Sequence, residues 1–159
     1  MSYNIKEEQT QMIIYKGFTI DDYKTSVMVG FGNSIGNMVW KRLDWCLSWV
    51  NHNPNGLSWG NSKVDCKQLA FAILHDYVKR EYSLPPEKSF SIVSDVYEDF
   101  AKDFVEKFAV DWTLYGDKIG EWLESAWQIY NNVVILFWQK RMLYFNKKIW
   151  VCKGFDWSM

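Results

Sequence analysis

The hydrophobic period of the chain changes once, near Gly60, and this change constrains the fold more than any other feature. Before it, large side chains alternate with small or polar ones, as at Trp45, Leu47 and Trp49. That period of two is typical of a strand. After Gly60, apolar side chains recur every three or four residues, which is typical of a helix. The sequence therefore predicts an α+β fold: a small antiparallel sheet packed against three helices.

The first third predicts strands at Met12–Ile20 and Ser26–Gly32, and a third strand region over Trp40–Val50. The glycine-rich stretch 30–36 lacks the Lys-Ser/Thr of a phosphate-binding loop, so we expect a β-turn or bulge there. A hairpin is predicted next, because Pro54 suits the second position of a turn. The chain would then return as a short strand at Leu57–Trp59.

The rest of the chain predicts helices at about 65–81, at Ile92–Phe108 and from near Asp117. Two prolines at 85 and 86 separate the first two, because proline cannot continue a helix. We expect one domain over residues 1–159, with a loose N-terminus at 1–10. Residues 125–159 form a C-terminal extension, the aromatic arm, with a final strand predicted around Ile149–Cys152.

Composition restricts the classes of partner. Aromatic residues make up 18% of the chain, with ten tryptophans, and more of them are present than one small core needs. We therefore expect some rings to contact a partner. The net charge of −1 argues against a general binder of the phosphate backbone.

The stretch "NHNPNGLSWG" at 51–60, followed by "QLAFAIL" at 68–74, resembles a small family of bacterial and phage proteins catalogued as a domain of unknown function. The resemblance covers about Val39 to Glu124. It departs from the family pattern at Asn53, where Ser is usual, and at Leu57, where an aromatic residue is usual. The matching positions are Asn51, His52, Pro54, Gly56, Trp59, Gly60, Gln68, Leu69, Ala70, Ala72, Ile73 and Leu74. The resemblance implies a phage or mobile-element setting and no particular reaction.

The titratable residues suggest no catalytic centre. His52 could serve as a general base, but no acid is placed beside it by sequence. The alternative, which we favour, is that Asn51 and His52 bond to backbone and, with Pro54, Gly56 and Trp59, hold the shape of the turn. His52, His75, Asp76 and Cys66 lack the spacing of metal ligands, so the sequence predicts neither metal nor cofactor.

The three cysteines, Cys46, Cys66 and Cys152, have unrelated spacings and no CxxC pair. We expect reduced thiols in a cytoplasmic protein. The N-terminus has no signal-peptide pattern, and no apolar run reaches the roughly 20 residues of a membrane span.

Two segments are candidates for partner binding. Residues 87–111 carry seven acidic and three basic side chains, which gives a net charge of −4. Residues 139–159 carry five basic side chains and one acidic side chain, which gives a net charge of +4. The candidate residues of the acidic segment are Asp95, Glu98, Asp99, Asp103 and Glu106. Those of the aromatic arm are Trp138, Arg141, Lys147, Lys148, Trp150 and Trp157.

The aromatic excess and the missing catalytic centre predict a non-enzymatic protein that binds another protein, and the family resemblance implies a phage-type accessory protein with a host partner. We expect it to block a component of an antiviral defence system by steric occlusion, as an anti-CRISPR-like inhibitor does. The alternative is a nucleic-acid or nucleotide binder that uses the basic aromatic arm. A homodimer and a small enzyme centred on His52 are further hypotheses.

Overall fold

The computed structural model describes residues 11–21, 24–60 and 63–127. Its chain divides into two compact units, 1–120 and 121–159. The first unit holds a four-stranded antiparallel sheet of order β3-β2-β1-β4. The strands are β1 (Met12–Asp21), β2 (Lys24–Gly32), β3 (Val39–Arg42) and β4 (Trp112–Tyr115). The helices are α1 (Lys63–Glu81), α2 (Pro86–Val93), α3 (Tyr97–Asp103) and α4 (116–127). The predicted α+β class is confirmed.

The sheet buries one face because its strands alternate. Tyr15 of β1 lies opposite Val29 of β2 and Leu114 of β4, and all three side chains are buried. The next positions along each strand point to the opposite face. We call the face that carries Tyr15 the inner face, and the opposite one the outer face.

Helix α1 lies against the inner face and forms the centre of the core. The Tyr15 hydroxyl donates to Asp76 Oδ2 across 3.0 Å, which ties β1 to this helix. All ten residues from Leu69 to Val78 are buried. A helix that is apolar nearly all round must be covered on every side. The sheet covers one side of α1, and α2 and α3 cover the others, since Phe71 contacts both Phe90 of α2 and Tyr97 of α3.

The strand prediction is correct for β1 and β2 and wrong for residues 45–50 and 57–59. Strand β3 ends at Arg42, and residues 43–60 form an irregular loop without a hairpin. The loop departs from strand geometry at once: Asp44 Oδ1 accepts the backbone N–H of Cys46 at 2.9 Å, and Cys46 has a φ of 58°. The alternation at 45–50 does not mark one buried face: Trp49 packs on His75 of α1, whereas Leu47 is exposed and Cys46 before it is buried.

The long helix predicted over Ile92–Phe108 is also wrong. Helix α2 ends at Val93, α3 starts at Tyr97, and a short 3₁₀ turn follows at Val105–Lys107. Ser94 and Asp95 at the break have weak helix propensity, because their side chains bond to nearby backbone, as Ser94 does to the carbonyl of Ser91. The break turns the apolar positions of both short helices toward α1.

Strand β4 was not predicted, since its four residues stood next to helical patterns. It pairs with β1 about 100 positions earlier in sequence, from Ile14 with Tyr115 to Gly17 with Trp112. The first helix prediction matches α1, and the third matches the start of α4. Stretch 30–36 contains the end of β2 and leads into a 3₁₀ turn at Ile35–Asn37. The predicted strand at Ile149–Cys152 lies outside the described residues.

Candidate functional site around the motif loop

The irregular loop Asp44–Gly60, here called the motif loop, is held by the side chain of Gln68. Gln68 lies on α1 and is fully buried. Its Oε1 accepts the backbone N–H of His52 at 2.8 Å, and its Nε2 donates to the carbonyl of Trp45. Loop backbone groups that lack a strand partner must bond elsewhere when they are buried. Gln68 therefore replaces a sheet partner for two points of the loop.

The tip of the motif loop is a turn that carries its own bond. Asn53 Oδ1 accepts the backbone N–H of Asn55 at 3.0 Å around Pro54. Gly56 follows with a φ of 151° and Gly60 with a φ of 88°, values that a residue with a side chain rarely adopts. The predicted turn at 53–56 is therefore present, but no strands flank it. Asn51 and Pro54 are exposed on its surface.

The end of the motif loop is tied to the segment after α3. The Trp59 indole N–H donates to the carbonyl of Val110 at 3.1 Å, and its ring meets Trp112 edge-on. The backbone N–H of Gly60 donates to the carbonyl of Val105 at 3.1 Å. The side chain of Trp59 therefore ties the end of the motif loop to the segment that leads into β4.

His52 contacts α3 directly. Its Nε2 lies 2.9 Å from the hydroxyl of Tyr97, and the two rings pack with centroids 5.6 Å apart. Burial, then the charge of Glu98, raises the pKa of Tyr97, so the hydroxyl keeps its proton near neutrality. The partner of the imidazole is thus a neutral hydroxyl on another element, whereas the sequence analysis expected a bond to backbone.

The candidate acidic residues fall on three elements, because the long helix is broken. Asp95 lies in the link before α3, three carboxylates lie on α3 (Glu98, Asp99 and Asp103), and Glu106 lies in the 3₁₀ turn. Of these only Glu106 is partly buried. We call these five residues the acidic surface. Of the five, Glu98 directly follows Tyr97, whose hydroxyl contacts His52.

Two lysines neutralise part of the acidic surface. Lys67 of α1 pairs with Glu98 at 2.9 Å, and Lys102 pairs with Asp99 at 2.8 Å. The bond to Lys67 lowers the pKa of Glu98, and the bond to Asp99 raises the pKa of Lys102. Both pairs are exposed, so each stabilises the fold only weakly. Lys107 shares the 3₁₀ turn with Glu106, so five carboxylates stand against three ammonium groups and the surface keeps a net negative charge.

A buried thiol–imidazole pair joins the motif loop to α1, and no spacing in the sequence indicates it. Cys46 Sγ is 3.7 Å from Nδ1 of His75, whose Nε2 lies 3.1 Å from the carbonyl of Pro86. A carbonyl only accepts, so Nε2 carries the proton and Nδ1 accepts from the thiol. Burial, then the charge of Asp44, raises the pKa of Cys46 to about 12, and burial lowers that of His75. The pair is therefore neutral, which is typical of a structural thiol.

A second buried polar group links the sheet to α1. Asp76 Oδ2 accepts from the Tyr15 hydroxyl at 3.0 Å and from Arg80 Nε at 2.7 Å. The guanidinium of Arg80 also lies 4.5 Å from the ring centroid of Phe31. Burial, then the Asp76 charge, raises the pKa of Tyr15. In the sequence, the only indication of this buried group is the adjacent pair His75-Asp76, two polar residues within the apolar pattern of α1. Their side chains leave the helix in different directions.

The four residues weighed as metal ligands do not form one site. His52 contacts Tyr97, His75 contacts Cys46, Asp76 contacts Tyr15, and Cys66 Sγ lies 3.8 Å from the carbonyl of Gly60. Within residues 11–21, 24–60 and 63–127, no three His, Cys, Asp or Glu side chains cluster as metal ligands do. Cys46 and Cys66 do not form a disulfide bond. The six candidate residues of the aromatic arm lie beyond residue 127, outside the described part.

The motif residues thus belong to one structure. Gln68 holds the motif loop against α1, and His52, Trp59 and Gly60 hold it against α3 and the segment that follows α3. A family of unknown function (DUF6166) has a sequence model that matches residues 32–125. The chain belongs to this family. The matched region contains the motif loop, α1, α2, α3 and β4, so the family relationship covers every element that builds the acidic surface. No curated protein and no solved structure gives a significant match.

No helix within the described ranges combines the length and the apolar character needed to cross a membrane.

Proposed function

We propose that this DUF6166 member is a protein-binding accessory protein, and that its acidic surface docks on a basic surface of its partner. In the phage setting implied by the sequence resemblance, the partner is a cytoplasmic component of host antiviral defence. Binding blocks the partner by occupying its basic groove, and no chemical step by this chain is required.

The observation that carries the proposal is the way the motif loop holds α3. His52 contacts Tyr97 at the start of α3, and Gly60 and Trp59 bind the carbonyls of Val105 and Val110 after its end. A seven-residue helix is too short to be stable alone. These contacts hold it in place before a partner arrives, which lowers the entropic cost of binding.

The side chains of α3 separate cleanly between core and surface. Tyr97, Phe100 and Ala101 are buried, whereas Glu98, Asp99 and Asp103 are exposed. Exposed charges of one sign speed association with a surface of opposite sign and exclude partners of like sign. This separation supports a role for the acidic surface in selecting a basic partner, in addition to keeping α3 in contact with water.

The test is a tagged capture from lysate of the natural host, after nuclease treatment, with mass spectrometry as the readout. The informative variant is Asp99→Lys with Asp103→Lys, which reverses two exposed charges on α3. The matched control is Glu81→Lys with Glu87→Lys, which makes the same charge change at exposed positions of α1 and α2.

The proposal predicts one stoichiometric host protein captured by the unaltered chain and by the control, and lost with the α3 variant. Capture should weaken as salt rises. A partner retained equally by all three proteins would contradict the acidic surface as the contact. In a parallel sample without nuclease treatment, capture of nucleic acid and no host protein would favour nucleic-acid binding as the alternative function.

A further inference from the structure

The proposed function does not use the outer face of the sheet. Alternation along the strands places two neighbouring cross-strand rows there. The first row runs Trp40, Gly30, Ile14 and Tyr115. The second row runs Arg42, Met28, Lys16 and Thr113. Phe18 lies one row further along β1.

Three aromatic side chains of this face are open to solvent. Phe18, Trp40 and Tyr115 are 38%, 39% and 49% exposed. Trp40 and Tyr115 stand three strands apart in the same row, about 14 Å at the usual strand spacing. Rings at this exposure cost free energy in water unless a partner stacks on them.

The indole of Trp40 lies flat on the sheet. A Cβ built on Gly30 would be 2.9 Å from three different carbons of this ring, so only glycine leaves room for the indole there. One π-face therefore covers Gly30, and the other faces outward. Lys16 Nζ lies 5.0 Å from the ring centroid. The ammonium group of Lys16 thus lies over this ring in a cation–π contact.

The charges of the two rows favour an anionic partner. Lys16 and Arg42 lie in the second row on either side of Met28, and neither row contains a carboxylate. Among the described residues, carboxylates stand at the borders of this face: Asp21 ends β1, Asp44 lies two residues after Arg42, Asp111 precedes β4 and accepts the backbone N–H of Thr19, and Asp117 follows Tyr115. The rows are positive at the centre of a chain whose net charge is −1.

We propose that the outer face binds single-stranded nucleic acid, with bases stacked on Trp40 and its neighbouring aromatic rings and phosphates held by Lys16 and Arg42. Aromatic rings with adjacent cations on an open four-stranded sheet are a general solution for this class of ligand, since every base has a π-face. Two cations contact only a few phosphates, so binding is weak and depends on salt.

The test is fluorescence anisotropy of a labelled oligothymidylate, about 12 nucleotides long, titrated with the full chain at about 50 mM salt. Arg42→Glu should weaken binding at least tenfold, and Trp40→Ala should weaken it by about the same factor. Matched controls lie on the same strand and point to the inner side: Lys41→Glu and Val39→Ala. Both control positions are exposed, as are Trp40 and Arg42, so all four variants should fold, which circular dichroism checks.

A fifth protein, Lys147→Glu with Lys148→Glu, separates the outer face from the aromatic arm. The proposal holds if the Arg42 and Trp40 variants lose affinity while Lys41→Glu and Val39→Ala keep it. It is overturned if the unaltered chain does not bind the oligonucleotide. It is equally overturned if each control, Lys41→Glu or Val39→Ala, loses as much affinity as the variant it is matched with. The same holds if only the arm variant loses binding.

Discussion

Gln68 positions His52 through the backbone and not through the imidazole: its Oε1 accepts the His52 N–H at 2.8 Å, while the imidazole bonds to Tyr97. The same amide donates to the carbonyl of Trp45, so one buried side chain holds two separate points of the motif loop. The histidine of the motif therefore owes its place to a glutamine sixteen residues later.

Replacing Gln68 by methionine should destabilise the protein by about 2–3 kcal/mol, because two backbone groups of the loop would lose their partners. Urea unfolding followed by circular dichroism measures the change. Gln11→Met, at an exposed position, is the control and should change stability by less than about 0.5 kcal/mol. Equal effects of the two substitutions would show that the Gln68 bonds do not support the loop.

The contact between His52 and Tyr97 should appear as a coupling free energy. Tyr97→Phe removes the hydroxyl, and His52→Ala removes the imidazole. In a double-mutant cycle the two changes should be non-additive by about 0.5–1.5 kcal/mol, the usual net value of one hydrogen bond. Additive losses would mean that the 2.9 Å contact contributes nothing to stability.

The lowered pKa of His75 should make stability depend on pH. Burial disfavours the charged imidazole in the folded protein, whereas the unfolded chain binds a proton below about pH 6.5. The contribution of His75 to the free energy of unfolding is therefore fully present above about pH 6.5. It falls on acidification, by at most about 1.4 kcal/mol per pH unit. Unfolding free energies measured at intervals between pH 7.5 and 5 test this.

The control for His75 is the other histidine. His52→Gln should keep the steep loss of stability between pH 6.5 and 5, and His75→Gln should flatten it. The same slope in both variants would assign the pH dependence to other groups.

Cys46 should resist alkylation in the folded protein. A thiol with a pKa raised to about 12 holds almost no thiolate at pH 8, and the thiolate is the reactive form. Iodoacetamide should label Cys46 about a thousandfold more slowly in the native chain than in urea, as read by peptide mass spectrometry. Rapid labelling of the native thiol would contradict the neutral pair with His75.

Gly17 and Gly36 form a matched pair for the packing of the sheet. A Cβ at Gly17 would overlap the indole of Trp112, so Gly17→Ala should cost about 1–3 kcal/mol through overpacking. A Cβ at Gly36 meets no atom within 4 Å, and Gly36→Ala should be neutral or stabilising by up to about 1 kcal/mol. Thermal unfolding of the two variants compares them, and a mild Gly17→Ala would place Trp112 elsewhere.

The sequence by itself determined the elements whose pattern is local. Strands β1 and β2 are rich in β-branched and aromatic residues, and α1 repeats its apolar positions every three or four residues, so local preference and burial agree. The turn at Pro54 also followed from local chemistry. The family relationship was visible because its motif is contiguous in two short stretches.

Only the tertiary structure decided the rest, because the deciding contacts join distant residues. Strand β4 exists through its pairing with β1, and the motif loop is irregular because Gln68 satisfies backbone groups that a hairpin would have paired. The chain breaks between α2 and α3 because both short helices turn their apolar side chains toward α1, where Phe90 and Tyr97 contact Phe71. The neutral Cys46–His75 pair and the flat indole of Trp40 over Gly30 likewise need partners 29 and 10 residues away, which no periodicity reveals.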